Sequence, residues 1–183
     1  MTKTLIEHVR SFFGAEPKGG IVGEAATGVD LAFVMSTEHP FAVVTTRGLA
    51  DSGITAIFPQ EIVCFALPTQ WEAARALVAM TAENVLARGR GLVLGDVISA
   101  PEPLLADTQI TGVLAFTNGY FGEEFDAILD ADGGVAIQLI TIVPLTASEA
   151  AYLSATTNGE PTFFEAMTAK GLSELDVTRA SAL

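Results

Sequence analysis

The sequence predicts an α+β fold, a single domain in which helices pack on a mixed, mostly antiparallel sheet. The chain has 183 residues, a length that fits one domain and leaves no room for a second. Half of the residues are apolar, so this domain can bury a sizeable core. Short runs of β-forming residues bounded by turn residues recur along much of the chain, as is typical of antiparallel strands. Apolar residues at helical spacing behind capping boxes indicate the helices.

The chain is predicted to open with a helix and to continue into strands. Thr4 and Glu7 are spaced as a capping box, and apolar residues at helical spacing follow through residues 5–13. Residues 16–28 are rich in glycine and show no periodicity, so we expect a connecting loop there. Runs of β-forming residues then predict strands over residues 29–35, 41–46 and 60–67.

A long helix is predicted after the third of these strands. Thr69 and Glu72 are spaced as a second capping box, and apolar residues recur at helical spacing up to Arg88. Such a helix should cover one face of the sheet. The residues expected in the core where it crosses the sheet are Val63, Phe65 and Trp71.

The carboxyl-terminal half is predicted to contain a meander of strands. These strands cover residues 110–117, 124–129 and 135–143, and Pro144 should stop the last of them. The last strand is apolar on nearly both faces, so it should lie in the middle of the sheet, covered on both sides.

Two helices are predicted after the meander. Thr146 and Glu149 are spaced as a third capping box, and Pro161 stands where a proline would open a final helix. Residues 1–171 are therefore assigned to the domain. Residues 172–183 show little apolar periodicity and are expected to be a frayed tail.

Composition narrows the classes of partner. Nine Lys and Arg residues against 22 Asp and Glu residues give a formal net charge of −13. A field of this sign repels nucleic acid and anionic membranes and favours encounter with a basic protein, although it also simply keeps a domain soluble. The mean hydropathy of +0.45 indicates a large core or an exposed apolar patch, so a homo-oligomer is an alternative.

A membrane-embedded or exported protein is not expected from this sequence. The amino terminus mixes charged residues into an amphipathic pattern, unlike a secretory signal. The most apolar stretch, residues 135–145, is shorter than the ~20 residues that a membrane-spanning helix needs. We therefore expect a cytoplasmic protein.

No catalytic residue, cofactor site or metal site is predicted. The glycines of residues 89–95 have neither the spacing nor the preceding strand of a dinucleotide loop. Residues 130–133 lack the ligands of a calcium loop, and the histidines, His8 and His39, have no partners at metal-ligand spacing. Cys64 stands within an apolar strand, where it should be a small buried side chain rather than a nucleophile.

One acidic segment is the candidate surface for binding a partner. It contains carboxylates with no Lys or Arg among them, namely Glu123, Glu124, Asp126, Asp130 and Asp132. The functional interpretation is recognition of a basic protein. The alternatives are solubility with turn formation, or a carboxylate pair for sugar chemistry.

Several sequence blocks resemble the suppressor of fused (SUFU) domain family. Residues 43–49 (VVTTRGL) are similar to its Thr-x-Gly block, and residues 60–71 (QEIVCFALPTQW) to its Glu-Leu strand followed by Pro and Trp. Residues 95–98 (GDVI) are similar to its Gly-Asp block, and residues 144–149 (PLTASE) to its Pro-Leu-Thr-x-x-Glu block. The blocks occur in the family's order, and the resemblance extends over residues 41–171.

The resemblance implies a protein-binding fold without enzymatic activity. In animals the family's namesake restrains a transcription factor, whereas small bacterial members look like immunity proteins that neutralise toxins. This chain is similar to the small form, so we expect an immunity-type protein with a basic toxin as partner. The alternatives are an enzyme with an acidic pocket, and a structural or oligomerising subunit.

Overall fold

The computed structural model describes residues 4–14 and 16–183. Residues 1–3, part of the stretch considered for a secretory signal, and Ala15 lie outside the described residues. The helices are α1 (Leu5–Arg10), α2 (Trp71–Arg88), α3 (Ala147–Ala155) and α4 (Glu160–Ala169). The strands are β1 (Lys18–Ala26), β2 (Val29–Met35), β3 (Ala42–Arg47), β4 (Gln60–Ala66), β5 (Val97–Ser99), β6 (Ile110–Phe116), β7 (Ala127–Leu129) and β8 (Val135–Thr146).

The strands form one mixed sheet with helices on both faces, which confirms the predicted fold class. The strand order is β1-β2-β3-β4-β8-β6-β5, and β7 pairs with the first part of β8. The β4–β8 pair is parallel, and the other pairs are antiparallel. As predicted, β8 lies in the middle of the sheet, between β4 and β6.

The prediction that Pro144 stops β8 was wrong. The strand continues to Thr146, and Pro144 lies opposite Val113 of β6. Pairing of β8 with β4 ends at Thr141. Pro144 therefore lies where β8 has a neighbour on one side, and a proline that cannot donate to a second neighbour is tolerated there.

Residues 16–28 were predicted to be a loop, but most of them form β1. This strand makes an antiparallel hairpin with β2, and the register shifts between Ile21 and Gly23 and again between Glu24 and Ala26. Most of the strand is exposed. An exposed edge strand rich in glycine and interrupted by bulges has no alternating apolar pattern, so periodicity could not detect it.

Two other local predictions differ from the structure. The box of Thr69 and Glu72 does not form, because Pro68–Gln70 is a 3₁₀ turn and α2 begins at Trp71 without a side-chain cap. The strand predicted over residues 124–129 is reduced to β7, which pairs with β8 and not with β6. The boxes of α1 and α3 are both present as predicted.

The core lies on both faces of the sheet. Helix α2 covers one face, where Ile62, Cys64, Ile140, Leu77 and Val78 are buried together. Cys64 is fully buried, as predicted, and burial raises the pKa of its thiol to about 12, so it stays protonated. Val63 and Phe65 are buried as predicted, but they lie on the face opposite α2, because alternate residues of a strand point to opposite faces of the sheet. Trp71 is only partly buried, on the α2 side, where it packs against Phe33.

The opposite face carries two separate hydrophobic clusters. The first joins α1 to strands β2–β4 and includes Phe13, Phe65 and Phe125. The second joins α3 and α4 to β6 and β8 and includes Leu145 and Phe163. The two clusters leave space between them, and this space contains the site described below.

A buried carboxylate organises the turn that follows β3. Glu61 is 2% exposed and accepts hydrogen bonds from the Thr46 hydroxyl and from the backbone N–H groups of Gly48, Leu49 and Ala50. Burial raises the pKa of Glu61, and these hydrogen bonds oppose that rise. Thr46, Gly48 and Glu61 fall in two of the sequence blocks singled out above, so those blocks have a structural role here.

Residues 172–183 differ from the expected frayed tail, because much of this segment packs on the domain. Leu175, Val177 and Ala182 are buried, and the Leu67 N–H donates to the Leu175 carbonyl. Only a few apolar residues anchor this segment, and they recur with neither a helical nor a strand period. The sequence pattern therefore did not indicate that the segment packs on the domain.

An ion pair joins this carboxyl-terminal segment to the start of α3. Arg179 donates to both oxygens of Glu149, at 2.6 and 2.8 Å, and to the Pro144 carbonyl at 2.8 Å. The two side chains are 1% and 0% exposed. Burial by itself would raise the pKa of Glu149, but hydrogen bonds from Arg179 and from the N–H groups of Ala182 and Thr146 hold it below its ordinary value.

Candidate functional site

The first part of the predicted acidic segment lies on a short 3₁₀ turn before β7. Glu123 and Glu124 are exposed on this turn. Asp126 is half-buried and accepts hydrogen bonds from the Asn118 N–H at 3.2 Å and from its side-chain amide at 2.8 Å. Burial raises the pKa of Asp126, while the bonds from Asn118 oppose that rise. Asp126 therefore holds the loop in shape, and the two glutamates are its solvent-facing charges.

The second part of the segment forms the turn between β7 and β8. The Asp130 carboxylate accepts hydrogen bonds from the N–H groups of Asp132 and Gly134, at 2.9 and 2.8 Å. This is the turn-forming role of an aspartate. Strand β7, about 10 Å long at ~3.3 Å per residue, lies between this turn and the turn that carries Glu123 and Glu124. The structure thus divides the five carboxylates between two places and uses Asp126 and Asp130 locally.

A cavity of about 220 Å³ is lined in part by the loop after β6, the loop that Asp126 holds through Asn118. It separates the two hydrophobic clusters on the face opposite α2. Phe65 of β4 and Tyr120 of the loop after β6 pair on one side, with ring centroids 5.0 Å apart. Phe116 of β6 and Phe164 of α4 pair on the other, also at 5.0 Å. We call this space the aromatic cavity.

The aromatic cavity has two polar features. The Tyr120 hydroxyl donates to Glu174 at 2.6 Å, and both residues line the cavity. Burial raises the pKa of Tyr120, and Glu174 raises it further, so the phenol stays protonated. Thr141 of β8 also lines the cavity, and its buried hydroxyl has no hydrogen-bond partner in the described part of the chain.

Sequence reasoning missed the aromatic cavity. Its lining comes from β4, β6, β8, α4, the loop after β6 and the carboxyl-terminal segment. The aromatic residues were visible as single members of separate strands and helices, and no spacing relates them along the chain. Four rings, with a carboxylate bonded to the phenol of one of them, can hold an apolar group and attract a cation next to it.

The described residues offer neither a cluster of metal ligands nor a membrane-spanning helix. Among residues 4–14 and 16–183, no group of three or more His, Cys, Asp or Glu side chains is placed to hold a metal ion. His8 and His39 instead hydrogen-bond to the backbone carbonyls of Phe125 and Phe12. Over the same described ranges, every helix is too short or too polar to cross a membrane.

Comparisons with known proteins agree with the sequence blocks. The sequence model of the family described as suppressor of fused protein (SUFU) matches residues 27–180. The fold is similar to the crystal structure of a SUFU homologue from Neisseria gonorrhoeae, with a TM-score of 0.66 and 17% sequence identity. That match covers 98% of this chain and 94% of the other, and at this identity it shows a shared fold. No curated protein sequence matches the chain.

Proposed function

The chain belongs to the suppressor of fused family, and we propose that it is a cytoplasmic immunity-type protein that neutralises a basic toxin by binding it. Domains of this family are generally non-enzymatic and bind other proteins. Binding is therefore the premise.

Negative charge is the observation that carries the proposal. The net charge of −13 creates a field that speeds encounter with a basic protein and slows encounter with an acidic one. Glu123 and Glu124 are exposed on the 3₁₀ turn before β7, so they can meet a partner without breaking a bond that the fold needs. Masking a basic active cleft would neutralise a toxin such as a nuclease.

The test is a comparison of association rates with a chosen partner, the product of the adjacent gene. Glu123→Gln with Glu124→Gln should slow association at low salt and flatten its salt dependence, because rim charges act mainly on the rate of encounter. The melting temperature should stay nearly unchanged. Asp126 is left intact, since its loss would disturb the loop.

A matched control makes the same change in charge elsewhere. Glu102 and Glu165 are exposed and lie outside the acidic segment, so Glu102→Gln with Glu165→Gln should leave the rate closer to that of the parent. Equal rates for both double variants at low salt would exclude a particular role for Glu123 and Glu124. Failure of the protein to protect cells that express the partner would contradict the immunity proposal itself.

An oligomerising subunit is a second candidate because apolar side chains are exposed on two neighbouring loops. Ile57 and Val93 are 73% and 41% exposed, and the Gly91 N–H donates to the Thr55 carbonyl, which joins their loops. Light scattering over a range of concentrations measures the mass directly. A monomer at all concentrations would exclude this candidate.

A further inference from the structure

We infer that the aromatic cavity is the anchor pocket for the partner, and that it takes one aromatic side chain flanked by a Lys or Arg whose cation pairs with Glu174. This inference rests on the proposed protein-binding function and deepens it by naming the chemistry that is recognised. The cavity is bounded by side chains of the two hydrophobic clusters, and Glu174 is the carboxylate that lines it.

The size of the aromatic cavity limits what can occupy it. Its volume is about 220 Å³. A dry cavity of ~150 Å³ holds a benzene ring, whereas pockets for drug-sized ligands and cofactors start at roughly 300 Å³. One ring with its linker therefore fits, and a nucleotide or flavin does not. Buried aromatic anchors that fill such pockets are the side chains that carry most of the energy of protein interfaces.

The lining of the aromatic cavity favours a ring as its occupant. Phe65 and Tyr120 on one side and Phe116 and Phe164 on the other present aromatic surfaces from four separate segments. A ring between these pairs makes stacked or edge contacts with them, and these contacts add to the stabilisation that comes from burying its apolar surface. Thr141 on β8 completes the lining between the two pairs.

Charge favours a cation beside that ring. Glu174 is half-buried and already accepts a hydrogen bond from Tyr120, so its position is fixed. A partly desolvated carboxylate of this kind attracts a cation more strongly than a fully exposed one. Tyr120 is a protonated phenol and adds no charge of its own. The same carboxylate would repel an anionic group, and the net charge of −13 would repel it as well.

Gly119 offers a way to block the aromatic cavity. It lines the cavity, and a Cβ atom added there would meet Glu174 Oε1 at 3.9 Å, an ordinary contact. Its φ angle is not among the positive ones, so a larger residue is not strained. Gly119→Leu should therefore fold and place a side chain in the opening. Gly20 on the exposed edge strand has open space at the same atom, so Gly20→Leu is the matched control.

The experiment is an NMR titration of the whole protein with two probes that share one ring. Phenethylammonium should bind saturably, with a Kd in the millimolar range, and should shift the amide signals of Gly119 and Tyr120. Phenylacetate should bind at least about tenfold more weakly. Gly119→Leu should abolish binding, Glu174→Gln should weaken binding of the cation about fivefold or more, and Gly20→Leu should change nothing.

Several results would overturn the inference. These are saturable binding of neither probe, equal binding of both probes, or unchanged binding by Gly119→Leu. Because the probes need no partner, these outcomes are independent of whether the toxin proposal holds. Once a partner is in hand, an unchanged Kd for the complex with Gly119→Leu would show that the cavity is not its anchor, even if association still depended on Glu123 and Glu124.

Discussion

Replacing Arg179 by methionine should destabilise the domain more than any change to an exposed ion pair. In the folded protein the guanidinium donates to Glu149 twice and to the carbonyls of Pro144 and Ala180. Arg179→Met keeps much of the side chain's apolar volume and removes all four bonds. The Glu149 carboxylate then remains buried with backbone donors as its partners, those of Thr146 and Ala182.

The expected loss is about 3–5 kcal/mol, the usual cost of removing one partner of a buried ion pair. Both side chains are almost fully excluded from water, at 1% and 0% exposure, so solvent cannot replace the missing cation. Domains are typically stable by ~5–15 kcal/mol, so this is a large fraction of the total. The carboxyl-terminal segment that carries Arg179 should also loosen.

The dependence on pH gives the prediction a definite sign. The pKa of Glu149 is lower in the folded protein than its ordinary value of 4.5, so the pair contributes stability above pH 4.5 and loses it as the pH falls through the folded pKa. Without Arg179, burial should raise that pKa. Protonation of Glu149 as the pH falls then removes the unpaired buried charge that destabilises the variant. The difference between variant and parent should therefore be largest at neutral pH. It should begin to shrink as the pH falls through the raised pKa of Glu149 in the variant, and it should shrink further below pH 4.5, where the parent loses the contribution of the pair.

Denaturant unfolding and amide hydrogen exchange measure these effects. The amides of residues 172–183 should lose protection in the variant. The control is Arg75→Met, which removes an exposed pair with Glu72 whose side chains are 37% and 61% exposed, and it should cost less than ~1 kcal/mol. A loss below ~1 kcal/mol for Arg179→Met, or an unchanged exchange pattern, would refute the argument.

Two further substitutions test the core and the aromatic cavity. Phe65→Ala should lower the free energy of unfolding by about 3–5 kcal/mol, because Phe65 is 3% exposed, and Trp71→Ala should lower it less, because Trp71 is only partly buried against Phe33. Thermal and urea unfolding rank the two variants, and the reverse order would contradict this assignment of the core. Thr141→Val should leave the free energy of unfolding unchanged or raise it by about 1 kcal/mol, because a methyl group replaces a buried hydroxyl that has no partner in the described residues. A loss above ~1 kcal/mol would show that the hydroxyl is hydrogen-bonded.

The sequence determined those elements whose signals are local. Strand β2 has the predicted bounds because its β-forming residues lie between clear turns. The capping boxes at Thr4 and Thr146, whose partners lie within one helical turn, form as predicted, whereas at Thr69 the 3₁₀ turn of Pro68–Gln70 takes the place of the box. The burial of Cys64 followed in the same way, from an apolar run between two prolines.

The tertiary structure decided the elements that depend on distant partners. Strand β1 exists because β2 supplies its hydrogen bonds, and the carboxyl-terminal segment is ordered because Arg179 reaches Glu149 across 30 positions of the sequence. The acidic segment was found from composition, yet the fold divides it and uses Asp126 and Asp130 to shape loops. The composition gives the number of carboxylates in a segment, but only the structure shows which of them accept hydrogen bonds from the backbone.

The aromatic cavity is the clearest case of a feature that only the fold creates. Tyr120 and Glu174 are 54 positions apart, and they meet because the loop after β6 and the carboxyl-terminal segment come together at the aromatic cavity. A helix or strand repeats its contacts at a fixed spacing, so its buried face can be read from the sequence. The residues that line a cavity between two packed clusters have no fixed spacing in the sequence, because the cavity depends on how separate elements pack against each other.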